Sequence, residues 1–169
     1  MKTLILGKRS FLSERLKNKI NSSKVVNFVE FEKYISFNKK KFNLIINSFY
    51  PSSKLNNIYS YGDFYNRSIG KLTNVLDNIK SKNINKIIYT SSASIYGSIN
   101  EAKFKDDNNR YLYSSTKLLS EVLMKNFCQK KKIQLVIARV FNMYGANDNF
   151  SIINKLIEAK INKKKNYNK

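Results

Sequence analysis

Tyr113 and Lys117 stand four residues apart in "YSSTK". On a helix, residues four apart share a face. An ammonium beside a phenol favours the phenolate and lowers its pKa, which is one way to make a general acid/base. Composition alone gives roughly two such pairs by chance. The chain has two, the other being Tyr50–Lys54 in "YPSSK". Context separates them. Pro51 disfavours helix at Tyr50, whereas Tyr113 opens an amphipathic stretch over 112–131, with Leu119, Val122, Leu123 and Phe127 at helical spacing. Further polar candidates stand where short apolar runs end. The first run is followed by Gly7, Ser10 and Ser13, and the second by Glu30, 23 residues after Gly7.

The elements that must position these residues are legible. "KTLIL" (2–6), "KVVNFV" (24–29), "NLIIN" (43–47), "KIIYTS" (86–91) and "IQLVIAR" (133–139) are short, rich in Val and Ile, and not alternating. Such runs belong to a parallel sheet covered on both faces. Between them, residues 10–20, 63–81 and 112–131 carry apolar residues in helical rhythm. Strands alternating with helices predict βαβ units and a Rossmann-like, doubly wound α/β sheet. Ligands of such a sheet bind at the carboxyl ends of the strands. A dinucleotide fold places three glycines after the first strand, so that the backbone approaches the pyrophosphate at the helix N-terminus. Here Gly7 holds the first position, and Ser10 and Ser13 hold the other two. An acid at about the distance of Glu30 can bind a ribose 2′-hydroxyl and so favours NAD over NADP. Lys8 and Arg9 in the loop pull towards NADP.

Composition sets limits. The chain has 169 residues, enough for one core of useful size. With no histidine and one cysteine, a His/Cys metal site and a Ser-His-Asp triad are both excluded. Cys128 falls among apolar residues as a core residue. The net charge of +21 raises nucleic acid as a partner. Yet the basic residues are 27 Lys against 5 Arg, spread along the whole chain beside 24 Asn. Arg is the residue suited to bidentate contact with bases and phosphates, so the charge reads as a solvated surface. No apolar run is long enough to span a membrane or form a signal peptide. A cytosolic protein is expected.

"IIYTSSASIYG", then "YSSTK", then "RVFNMYG", in this order and spacing, resembles the extended short-chain dehydrogenase/reductases, which include the NAD-dependent epimerases and dehydratases of nucleotide sugars. The resemblance covers residues 1 to about 160. It implies that Tyr113 is the catalytic tyrosine and Lys117 its lysine, which also holds the nicotinamide ribose. It implies that Ser92 holds the reacting substrate oxygen, that Asn142 lies near the sugar nucleotide's phosphates, and that Asn47 lies along the cofactor. Gly7, Arg9, Ser10, Ser13 and Glu30 complete the implied cofactor set. The cofactor is then NAD in preference to NADP, the substrate a nucleotide sugar, and the assembly a homodimer through helices 63–81 and 112–131.

Two features depart from the family pattern. The loop has one glycine of three, and 24 residues follow Gly145 where the family has roughly as much chain again. The expectation is a dinucleotide-binding domain over 1–148, followed over 149–169 by the start of a truncated substrate lobe and a Lys-rich tail. Two other functions stand beside the epimerase/dehydratase core: a non-catalytic dinucleotide-binding remnant or scaffold, and a basic nucleic-acid-associated protein.

Overall fold

A computed structural model of the chain describes residues 2–8, 10–47, 58, 60–79, 81–97, 108–145 and 151–167. Two compact units divide it, Met1–Arg139 and Val140–Lys169. The first holds a five-stranded sheet in the order β2-β1-β3-β4-β5. The strands are β1 (Lys2–Leu6), β2 (Ser23–Val26), β3 (Phe42–Ile46), β4 (Ile84–Ser92) and β5 (Gln134–Val140). β1 pairs in parallel with β2 and β3, and β3 with β4. The chain winds outward from β1 to β2, then returns to place β3 on the other side. The crevice between the ends of β1 and β3 is therefore the point where winding reverses, and where α/β folds take ligands.

The strands form where the sequence supplies unbroken apolar runs. Leu4, Ile5, Leu6, Leu44, Ile46 and Ile87 are all buried. Each such side chain contributes roughly 1.5–3 kcal/mol on burial. Helices α1 (Phe11–Lys19), α2 (Phe28–Phe37), α4 (Lys71–Asn78) and α5 (Asn108–Lys131) accompany the sheet. Phe31 and Ile35 of α2, Leu72, Val75 and Leu76 of α4, and Met124 and Cys128 of α5 join one core with the strands.

Two elements differ from the sequence expectation. The run read as a strand over 24–29 stops at Val26, and α2 begins at Phe28. The cause is a capping box. The Asn27 side chain accepts from the Glu30 backbone N–H at 2.9 Å, and the Glu30 carboxylate accepts from the Asn27 N–H at 3.0 Å. Phe28 and Val29 thus belong to a helix rather than to the strand. The helix read over 63–81 is α3 (Tyr61–Tyr65), a π-helical turn (Asn66–Gly70) and α4 in succession. The second unit contains α6 (Ile152–Tyr167), whose N-terminus is capped where Ser151 Oγ accepts from the Asn154 N–H at 3.1 Å. Among the described residues, no helix is long and apolar enough to cross a membrane.

Candidate active site

Because the strands run parallel, Gly7, Asn47 and Ser92 all lie at the sheet's carboxyl edge, just after β1, just after β3 and at the end of β4. Gly7 has φ +137°, a conformation that side chains rarely adopt. A Cβ there would stand 2.9 Å from Asn47 Cβ and 3.1 Å from Ser13 Oγ. Asn47 is buried between the loop and the sheet. Its amide nitrogen donates to Ser10 Oγ at 2.7 Å and Ser13 Oγ at 2.9 Å, and its amide oxygen accepts from Thr90 Oγ1 at 2.8 Å. Ser10 is the N-cap of α1, yet its side chain makes no bond to its own helix. Arg9 lies outside the described residues, as does the Tyr50–Lys54 pair.

Glu30 does not follow a strand end as expected. It belongs to the first turn of α2, where Lys8 Nζ donates to its Oε1 at 2.7 Å. The Lys8 bond, then the Asn27 N–H, hold its carboxyl below the usual range. The acid expected to choose between dinucleotides is thus already shared between a helix cap and a loop lysine.

Helix α5 starts at the same edge. Ser114 Oγ donates to the Ser94 carbonyl at 3.2 Å, fixing the first turns of α5 to the turn after β4. Within that turn the Ser94 N–H and hydroxyl both donate to Ser92 Oγ, at 3.2 and 2.9 Å. Ser92 therefore accepts twice and keeps its own proton. The Tyr113 ring packs against Phe64 of α3. Lys117 reaches inward. Its Nζ donates to the Thr90 carbonyl at 3.0 Å and lies 5.2 Å from the Tyr89 ring centroid and 5.7 Å from that of Tyr113. Burial pushes the Lys117 ammonium down to about 8, while Glu121 one turn on pulls the other way. Burial pushes the Tyr89 phenol up to about 12.

A second layer holds α5 in place. Arg139 of β5 donates from Nε to Glu121 Oε1 at 2.9 Å and from Nη2 to Oε2 at 2.8 Å. Glu121 is 1% exposed. The paired guanidinium holds its carboxyl below the ordinary value. The guanidinium also lies 4.8 Å from the Tyr96 ring centroid, beside the turn after β4. The Ser91 hydroxyl is buried without a bond of good geometry, although it lies close enough to Glu121 to lower the same carboxyl.

Of the residues expected from sequence, the structure brings Gly7, Ser10, Ser13 and Asn47 together through the Asn47 amide. It brings Tyr113 and Lys117 against the end of β4, where Ser92 lies. Asn142 belongs to the second unit and is exposed. Sequence reasoning missed Thr90, Ser94, Glu121 and Arg139. One signal was available: Glu121 stands four residues after Lys117 and is the only acid of α5. Among the described residues, no group of acids and cysteine could hold a metal.

These features define a dinucleotide-type α/β fold with a Tyr–Lys helix at its ligand edge. The chain matches the model of the NAD dependent epimerase/dehydratase family over residues 7–168, and it belongs to that family. No curated protein matches it in sequence. The fold is similar to that of UDP-glucuronic acid 4-epimerase from Bacillus cereus, at 18% identity and a TM-score of 0.72, over 96% of this chain and 64% of the other. It is also similar to a UDP-galactose 4-epimerase, at 15% identity and a TM-score of 0.70, over 94% and 62%. A GDP-mannoheptose C4 reductase from Campylobacter jejuni, solved with NADP bound, matches at 16% and 0.65, over 88% and 53%. The chain thus spans between 53% and 64% of the length of these three structures.

The family is NAD-dependent, and the residues present fit that cofactor. The left-handed Gly7 keeps side-chain bulk out of the corner between β1 and β3. The head of α1, capped by Ser10, carries the partial positive charge that favours a phosphate. Lys117 supplies a buried cation at the end of β4.

Proposed function

We propose that this chain forms the NAD(P)-binding core of a nucleotide-sugar epimerase or dehydratase. The observation that carries the reading is Lys117: a buried ammonium anchored on the Thr90 carbonyl, one turn from Tyr113 and two residues along β4 from Ser92. Support comes from the family and from structural relatives whose own names give nucleotide sugars as substrates.

Bound NAD(P) supplies the hydride chemistry. The chain's residues do the rest. Ser92, its lone pairs engaged by Ser94, donates its proton to the reacting sugar oxygen. Tyr113 exchanges the proton of the sugar hydroxyl or carbonyl. Lys117 steadies the phenolate and holds the nicotinamide ribose. Gly7, Ser10, Ser13 and Arg9 take the pyrophosphate end, Glu30 the adenosine ribose, and Asn142 the sugar nucleotide's phosphates. NAD is preferred to NADP through Glu30. The active form is a homodimer, supported by exposed Leu118, Leu119 and Val122 on one face of α5.

The test is turnover of a panel of UDP- and GDP-sugars with NAD, by the chain alone and by the chain supplemented with the remaining lobe of a relative. Tyr113→Phe keeps the ring against Phe64 and removes only the hydroxyl. The rate is expected to fall about 10²–10⁴-fold, the range of general acid/base catalysis. A Tyr113→Phe rate within about twofold of wild type, well below that range, removes the proton-transfer role.

A further inference from the structure

Asn47 closes the crevice between β1 and β3, and it is 4% exposed. The direction of its hydrogen bonds is informative. A serine hydroxyl has one proton and two lone pairs. Ser10 and Ser13 each spend a lone pair on the Asn47 amide nitrogen. Each therefore keeps its proton for another acceptor. Ser13 is fully buried, but Ser10 is only half-buried, at the head of α1, where its proton is available to an anion. The Thr90 hydroxyl has two acceptors in reach, Asn47 Oδ1 at 2.8 Å and the Ile46 carbonyl at 3.2 Å, and the shorter contact favours the amide oxygen on the Thr90 side. The Thr90 carbonyl in turn receives Lys117 at 3.0 Å. The amide that orients the loop is thus anchored on the strand that carries the lysine.

We propose that Asn47 sets the polarity of Ser10, so that the Ser10 hydroxyl donates to the pyrophosphate of the bound dinucleotide. This rests on the dinucleotide reading above and gives Asn47 a positioning role within it. The loop then gains a directed hydrogen bond where a glycine would give only closer backbone approach. Glycine at position 10 would remove the donor and take one partner from the Asn47 amide. Glycine at position 13 would take the other serine partner from the buried amide, which is costly.

The experiment is calorimetric titration of NAD onto the full chain, with thermal melting as the control for folding. Ser10→Ala and Ser10→Gly are both expected to bind about ten- to hundredfold more weakly, the loss of one hydrogen bond to a charged group. Asn47→Asp has the same shape but only accepts, so it turns the Ser10 proton inward. It also adds a charge, whose effect is the same with or without Ser10. In the Ser10→Ala background the Asp change should therefore cost clearly less than in wild type, a non-additivity that a merely structural Asn47 would not show. If Ser10→Gly binds NAD as tightly as wild type or tighter, or if the two changes are additive, this proposal is overturned while the dinucleotide reading stands. If wild type itself binds no NAD at millimolar concentration, both fall.

Discussion

The two sides of the ligand edge are built by different means. On the side of β1, neutral hydroxyls and one amide hold the loop: Ser10, Ser13 and Thr90 around Asn47. On the side of β4, charge holds the helix: Lys117 on a carbonyl, and Glu121 locked to Arg139. Under the proposed function, the difference follows from what each side would receive. A pyrophosphate brings its own negative charge, and neutral donors with helix amides meet it without burying a counter-charge. For the acid/base role proposed for Tyr113, a cation held nearby favours the phenolate. Holding that cation in the interior carries a desolvation cost, visible in the lowered Lys117 pKa.

Breaking the charged side should have the larger consequences for stability. Arg139→Met strands a carboxylate that is 1% exposed. Removing one partner of a buried pair costs about 3–5 kcal/mol. The Arg139 side chain is 29% exposed, so the lower end of that range is expected. Glu121→Leu should cost less, since the guanidinium it abandons can reach water. Urea unfolding of the two variants measures the asymmetry, and equal losses would show that Glu121 is better solvated than its burial implies.

The lysine sharpens the comparison through pH. Lys117 has a folded pKa of about 8 against 10.5 for the free side chain. The unfolded state therefore binds more protons between those values, and stability rises with pH across that window. Below pH 8 the cost of the buried ammonium is present in full. Lys117→Met lacks this rise. The stability difference between wild type and variant should shift by a few kcal/mol between pH 8 and 10.5. Parallel curves would mean that Lys117 keeps the pKa of the free side chain in the folded protein.

The smallest effect belongs to an exposed ion pair on the neutral side. Lys8 and Glu30 are both well exposed, and such pairs contribute under about 1 kcal/mol. Glu30→Gln should leave the melting temperature nearly unchanged. It releases Lys8 towards a 2′-phosphate and weakens the hold on a 2′-hydroxyl. The ratio of NAD to NADP affinity should fall a few-fold by calorimetry. An unchanged ratio would leave Glu30 as a helix cap alone.

What the sequence disclosed divides along the same line. The parallel sheet, α5 and the placement of Tyr113 and Lys117 were legible, because apolar runs and helical rhythm are local signals. Helix α2 was hidden, since Phe28 and Val29 extend the apolar run of β2. The Asn-x-x-Glu box that stops the strand begins within that run, at Asn27, and closes just past it, at Glu30. Asn47 and the two serines were singled out, but the amide joining them spans 37 and 34 residues of chain, and pattern does not show such closure. Arg139 and Glu121 are likewise 18 residues apart, on different elements.

The π-helical turn Asn66–Gly70 acts as a gear between two clusters. Before it, Phe64 meets the Tyr113 ring; after it, Leu72, Val75 and Leu76 enter the main core. A π turn holds a residue more than a regular turn. The turn therefore uses one more residue than an α-helix would for about the same rotation. Phe64 keeps its face towards Tyr113, and Leu72, Val75 and Leu76 keep theirs towards the main core. One added residue thus holds two packing faces of a single helical run in register.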